Sequence, residues 1–272
     1  MSRAPATAKL NLALVVGPPR DDGKHEVTTV LQRLALADRV DVRPGQGLTV
    51  EGFADDTLVR AALTALAIEA SVRPRWLARI TKRIPVAAGL GGGSSDAATA
   101  LRLANHTLDD PLPRERLHEL ARSLGADVPF FLAQGPQLGE GEGASLRPLE
   151  LPQDYFVLLV APTDGRKRST EDVYRAFDAK TGADGYDERR VALLDALARV
   201  HRPRDLAALP ANDLASSPLA DELRALGAFR ADVTGAGPTV YGLFHHRDRA
   251  EAARKQLRRR GRTWLTAPAW YG

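Results

Sequence analysis

The chain of 272 residues contains no cysteine. That absence excludes disulfides, thiolate catalysis and cysteine-based metal sites, and it fits a reducing, cytoplasmic setting. No apolar run approaches the roughly 20 residues of a membrane span, so no membrane partner is expected. The stretch from Leu10 to Val16, behind Arg3 and Lys9, is interrupted by Asn11 and lacks a small-residue cleavage site. It does not read as a signal peptide. Aromatic residues make up only 6% of the chain, and they do not interleave with the basic ones. The net charge of +4 therefore favours anionic small molecules, and no nucleic acid partner is expected. Internal repeats and low-complexity tails are missing too. What remains, 44% hydrophobic and 26% charged, is the balance of an ordinary globular protein with one large domain or two modest ones.

Against this background one run stands out. Pro85, Val86, Ala87, Ala88, Gly89, Leu90, Gly91, Gly92, Gly93, Ser94 and Ser95 lead into the helical pattern Ala97, Ala98, Ala100, Leu101, Leu103, Ala104. Glycines let the backbone close around a bulky anion, and a helix N-terminus behind them presents unpaired N–H groups and partial positive charge. Ser94 and Ser95 add hydroxyls that can cap the helix or hold a phosphate oxygen. A flexible turn before a serine-capped helix is the plainer reading; four glycines in five residues favour a phosphate cradle. No Gly-Lys-Ser/Thr follows, so the run is not a Walker A loop. Ser94 stands where a dinucleotide fingerprint would place its third glycine.

The remaining chain orders itself around this loop. Leu10, Leu12, Leu14 and Val16 alternate as one face of a strand, with Lys9 and Asn11 on the other. A second strand is expected over 27–34 and a strand pair around Pro44-Gly45, from Val40/Val42 and Leu48/Val50. Leu58 to Ala70 and Pro113 to Leu124 have helical spacing, and Gly125 suits a left-handed C′ position. Leu77 to Ile84 alternates as a strand running into the glycine loop. Gln134 to Pro152, rich in glycine and proline, is the candidate domain connection. Beyond it come a strand over 155–160, a helix over 170–179, helical patterns to about 209, and strands over 231–234 and 239–244 flanking Gly235-Ala236-Gly237. The Arg-rich stretch 254–260 reads as a solvated helix face. The mixed order is α+β.

Phosphoryl transfer is largely positioning and electrostatics, so one lysine and one carboxylate beside the cradle would suffice. Lys9 and Asp127 are the candidates. A lysine about 4 Å from a carboxylate contributes roughly 4 kcal/mol at an effective dielectric of 20, favouring the ionised form. From the residues alone, Asp127 fits a helix N-cap as well as a base, and Lys9 fits an edge-strand surface lysine.

Several segments, taken together and in order, resemble the GHMP kinase family: Ala6-Thr7-Ala8-Lys9-Leu10-Asn11-Leu12, Asp22-Gly23-Lys24-His25, the triple glycine with Ser-Ser-Asp, Gly125-Ala126-Asp127-Val128-Pro129-Phe130-Phe131, and Gly235-Ala236-Gly237. The triple glycine is closest to a branch whose acceptor is a cytidine diphosphate-linked sugar alcohol. The resemblance implies a two-domain fold, with a ribosomal-protein-S5-like N-terminal domain over 1–152 and a ferredoxin-like C-terminal domain over 153–272. It implies ATP as phosphoryl donor with Mg2+, though no metal ligand or oligomeric state is assigned. Lys9 and Asp127 become the catalytic pair, and 85–95 the ATP loop. Asn11, His25, Thr170, Tyr174, Gly235 and Gly237 become substrate contacts. Kinases of homoserine or mevalonate type and a non-catalytic ligand sensor are the alternatives. Lys24 departs from the pattern, standing where the family has an aromatic ring that stacks on the base. Ala144 replaces a frequent Glu, and Thr57 a frequent Asn.

Overall fold

Two long antiparallel strands, β1 (Ser2–Pro19) and β2 (His25–Pro44), form the spine of the N-terminal half. The computed structural model describes residues 2–53, 57–163 and 169–270. β1 is buried from Ala6 to Val16, lying between core on both sides. A register shift between Asn11 and Ala13 interrupts it. Such a bulge turns the following side chains over. Leu10 and Leu12 therefore join Ala13 and Val15 in one buried cluster, while Leu14 and Val16 pack with Val27 and Phe177 in another. The single apolar face expected over 10–16 is thus split.

β2 does not end near Leu34. It continues through Val40 and Val42, and β1 occupies one of its edges. Its other edge takes β5 (Gln137–Glu140) at one end and β4 (Trp76–Thr81) at the other. The strand pair expected around Pro44-Gly45 is not formed, because β3 (Thr49–Glu51) runs parallel to β4 instead. β5 and β6 (Ser145–Pro148) make a hairpin in this same sheet. The segment expected as a connection, 134–152, therefore holds a hairpin of the first sheet.

Three helices cover this sheet: α1 (Leu58–Glu69), α2 (Gly92–Asn105) and α3 (Arg114–Leu124). The small side chains of Ala97, Ala98, Ala100 and Ala104 are buried and let α2 lie close against α1 and the β1–β2 pair. α3 ends at Gly125 with φ 157° and ψ 154°, not in the left-handed turn expected there. A 3₁₀ turn, Pro129–Leu132, follows.

The C-terminal half is a four-stranded antiparallel sheet in the order β10-β7-β9-β8: Gly261–Thr266, Phe156–Pro162, Val240–Phe244 and Arg230–Val233. By chain order this is 4-1-3-2, the ferredoxin-like arrangement. Its helices are α4 (Thr170–Asp178), α5 (Tyr186–Leu197), α6 (Pro218–Ala225) and α7 (Arg247–Leu257). Sequence patterning does not anticipate α6, a helix of only 8 residues, or β10. One buried cluster spans both sheets, combining Leu10, Val30 and Leu138 with Val157, Leu159 and Tyr241.

Candidate active site

α2 begins without a side-chain cap. Its N-cap is Gly91, at φ 68°, and its first turn carries no acidic residue. The leading N–H groups are left for an external acceptor, which is the arrangement that binds phosphate. A Cβ on Gly91 would sit 2.9 Å from the Phe131 ring and 3.0 Å from Lys9 Cγ. A Cβ on Gly89 would sit 2.6 Å from the Thr234 carbonyl. These two glycines allow the loop to touch β1, the 3₁₀ turn and the loop after β8. At Gly93, by contrast, a Cβ would meet nothing within 4 Å. Its backbone faces open space.

The base of the loop is fixed from behind. Lys82 donates to Asp38 and, at 2.7 Å, to Asp96 on α2; Asp38 also accepts from the Ile84 N–H at 2.8 Å. Asp38 and Asp96 are buried, so this ion cluster clamps the end of β4 and the start of α2 to β2. Ser95 lies inside α2, its Oγ buried without a hydrogen-bond partner among the described residues.

The loop has a hollow on either side. One, about 280 Å³, is lined by Pro85 to Ser94 with Phe53, Leu58 and Lys82. The other, about 460 Å³, is lined by Ala87, Gly89, Gly91 and Ser94 together with Lys9, Asn11, Asp127, Thr170, Tyr174, Gly235 and Gly237. A third hollow, about 640 Å³, is larger and adjoins it through Leu214, Ala236 and Gly237. It contains neither Lys9 nor Asp127, so size does not mark the chemistry here.

Lys9 and Asp127 meet in the 460 Å³ cavity, with Nζ 3.5 Å from Oδ2. Lys9 is 5% exposed, which removes the reading of a surface lysine. Its ammonium also donates to Asn11 Oδ1 at 2.7 Å, as their shared strand face requires. Asn11 is held in turn: its Nδ2 donates to Thr29 Oγ1 at 2.8 Å, and its backbone N–H to Thr234 Oγ1 at 3.1 Å. Asp127 does not cap a helix. It lies in the turn before the 3₁₀ segment, whose N-cap is Val128 with no side-chain cap bond. Thr29 and Thr234 are contributors that motif reading missed; Thr234 directly precedes the Gly235-Ala236-Gly237 loop. That loop is tied down by Asn212, whose Nδ2 donates to Gly235 O at 2.7 Å.

Thr170 opens α4, whose N-cap Ser169 accepts from the Asp172 N–H at 3.0 Å. Tyr174, one turn later, lines the cavity. Burial first, and the charge of Asp127 second, push its phenol up to about 12, so it is a neutral hydroxyl close to the carboxylate. His25 lies behind Tyr174 and does not line the cavity. Its ring centroid is 4.7 Å from that of Tyr174, and its Nε2 is 2.8 Å from Asp178 Oδ1. Lys24 turns to Glu142, which lines the cavity, and pairs with it.

An uncapped glycine loop, a buried ammonium and a facing carboxylate share one cavity, an arrangement chemically suited to phosphoryl transfer, and comparison with known proteins gives the lineage. Residues 57–135 match the GHMP kinases N terminal domain, and residues 193–263 match the GHMP kinases C terminal region. The chain belongs to the GHMP kinase family. The kinase is 38% identical over 268 residues to a protein of Anaeromyxobacter sp. (strain Fw109-5), covering 93% of this chain and 85% of that one. It is 36% identical over 286 residues to a protein of Geobacter sulfurreducens, covering 96% of each. Both relatives are named 4-diphosphocytidyl-2-C-methyl-D-erythritol kinase. A crystal structure of 4-(cytidine 5'-diphospho)-2C-methyl-D-erythritol kinase superposes with a TM-score of 0.80 at 33% identity, covering 98% of this kinase and 99% of that chain. A mevalonate kinase structure reaches 0.75 at 14% identity, covering 98% and 99%, which shows a shared fold. Among the described residues no helix of the kinase is long and apolar enough to cross a membrane.

Proposed function

We propose that this kinase transfers the γ-phosphoryl group of ATP to the 2-hydroxyl of 4-diphosphocytidyl-2-C-methyl-D-erythritol, a step towards isoprenoid precursors. The observation that carries the reading is the 3.5 Å approach of Lys9 and Asp127 in a cavity that the glycine loop also lines. The acceptor is supported by the relatives, whose names give that compound. In this reading the α2 N-terminus and the N–H groups of 89–94 grip the triphosphate; that of Ser95 is already given to the Gly91 carbonyl at 2.9 Å. The hollow beside Phe53 and Lys82 takes the purine. Lys9 faces the transferred group, and Asp127 aims the acceptor hydroxyl and then accepts its proton. Because the alcohol loses its proton late in a loose transition state, aiming comes first.

Among the described residues no three carboxylate, histidine or cysteine groups gather to hold a metal ion. This fits an Mg2+ carried mainly by the phosphates, which would neutralise their charge. Ser94, which lines the cavity, is the loop hydroxyl that suits it, whereas Ser95 is buried inside α2 and lines neither hollow. Thr170, Tyr174, Gly235 and Gly237 would line the acceptor, Asn11 would set Lys9, and His25 would back Tyr174.

A second reading, a GHMP kinase for another small alcohol, draws on Lys24, which engages Glu142 where the family places a stacking ring. A coupled ADP-release assay against a panel of alcohols separates the two. Turnover confined to the cytidylated substrate supports the first; turnover confined to homoserine or mevalonate supports the second; none on any alcohol removes both. In the same assay Asp127→Asn is expected to cut turnover by about 10²–10⁴-fold with ATP affinity nearly unchanged. Near-normal turnover of that variant refutes the role given to Asp127.

A further inference from the structure

Arg33 is among the largest fully buried side chains of the described residues, 1% exposed in the middle of β2. Among the described residues no carboxylate lies within ion-pair distance of it. Burying a guanidinium in this way is costly, and apolar side chains commonly replace such groups without loss of stability. Its presence there calls for a reason, and its partners supply one. Nη1 donates to Thr7 Oγ1 at 2.8 Å, on β1 two residues before Lys9. Nη2 donates to the carbonyls of Phe130 at 3.1 Å and Ala133 at 2.7 Å, on the turn that follows Asp127. The Phe130 and Phe131 rings lie 5.2 and 5.5 Å from the guanidinium carbon. Phe131 is the ring that fills the space beside Gly91.

One planar cation thus touches the strand that carries Lys9, the turn that carries Asp127 and the ring beneath the phosphate loop. We propose that Arg33 is a positioning residue, whose fork of hydrogen bonds sets the separation of Lys9 and Asp127 and seats Phe131 under Gly91. It does not line the cavity, so it acts only through these neighbours. Burial first, and Arg102 second, lower its pKa to about 10, which leaves it charged at neutral pH. The proposal rests on the roles given to Lys9 and Asp127 above, but not on the identity of the acceptor alcohol.

The test compares Arg33→Met, Arg33→Lys, Thr7→Val and Thr7→Ser with the wild type. It measures kcat, acceptor KM, the Kd of a nonhydrolysable ATP analogue and the thermal midpoint, with rates normalised to folded protein. Misplacing reacting groups by about 1 Å costs about 10²-fold in rate, so Arg33→Met should lose about that in kcat with a much smaller change in analogue Kd. Arg33→Lys keeps the charge but not the fork, and should recover only a small part. Thr7→Val, which cuts the β1 arm alone, should fall between these and the wild type, with Thr7→Ser restored. A kcat within about twofold of wild type in Thr7→Val and Arg33→Met, with only the midpoint lowered, overturns the proposal. If Arg33→Met fails to fold, the Thr7→Val and Thr7→Ser pair decides alone. If the wild type turns over no alcohol, it is the kinase reading that fails, not the positioning role.

Discussion

Gly91 and Gly93 stand two positions apart in the same loop, yet they serve different ends. Gly91 is needed by the protein: its φ of 68° and the Phe131 ring leave no room for a side chain. Gly91→Ala should cost roughly 2–4 kcal/mol, from left-handed backbone and overpacking combined, and should lower the thermal midpoint with or without nucleotide. Gly93 is needed, if at all, by the ligand. Its Cβ position is open and it lies within α2, so Gly93→Ala should melt at or slightly above the wild type yet bind ATP about tenfold or more weakly, because a methyl group occupies the approach to the backbone. Calorimetric titration alongside thermal melts separates the two. A Gly93→Ala protein that binds ATP normally would remove phosphate from that face of the loop. The glycine run itself was legible in the sequence, since four glycines before an alanine-rich helix admit few other uses. Which glycine serves the fold was not, because the answer lies in Phe131 and Thr234, residues brought there by tertiary packing. The pairing of Lys9 with Asp127 was likewise legible only through family resemblance. Nothing local to either residue announces the other.

Helices and strands show the same division between local and nonlocal causes. α1, α3 and α4 fall where their apolar spacing puts them. The 137–148 hairpin was hidden because its glycines and prolines resemble a linker, and its strands are short enough that pairing with β2, not periodicity, makes them strands. The bulge near Leu12 was hidden for a similar reason: alternation looks unbroken in sequence, and only the β1–β2 register reveals the extra residue. α3 carries a further consequence of its own charges. His118 sits one turn from both Arg114 and Arg122. Burial first, then these two cations, lower its pKa below its ordinary 6.5, while Glu115 opposes them. The folded state therefore prefers the neutral ring. That contribution is intact above pH 6.5 and is lost as pH falls through the depressed folded value. Urea midpoints measured at pH 7.5 and 5.5 should drop more for the wild type than for His118→Gln. Equal drops would show that His118 is not among the groups responsible.

Two sheets usually mean two folding units, since separate cores can melt separately. Here the cores are not separate. The cluster joining Leu10, Val30 and Leu138 to Val157, Leu159 and Tyr241 belongs to neither sheet alone. The Leu12 carbonyl on β1 accepts from both Arg230 Nη2, at 2.5 Å, and the Tyr241 hydroxyl, at 3.1 Å, on the second sheet. The chain also returns after β10 to the first sheet: Ala35 N–H donates to Ala267 O at 2.8 Å, and Ala269 N–H to Arg33 O at 2.9 Å. The cavity has the same dual origin, with Lys9 and Asp127 from one half and Thr170, Tyr174 and Gly235 from the other. Partial opening along this seam would take the cavity apart, separating Thr170 and Tyr174 from Lys9 and Asp127. Trp76 on β4 and Trp264 on β10 offer one fluorescent reporter in each half. With the other two tryptophans changed to Phe, the Trp76-only and Trp264-only proteins should each unfold in urea with the same midpoint at both their tryptophan signal and their far-ultraviolet circular dichroism. A Trp76 transition that consistently precedes or follows that of Trp264, after correction for each variant's own stability, would mean that the shared cluster does not couple the halves.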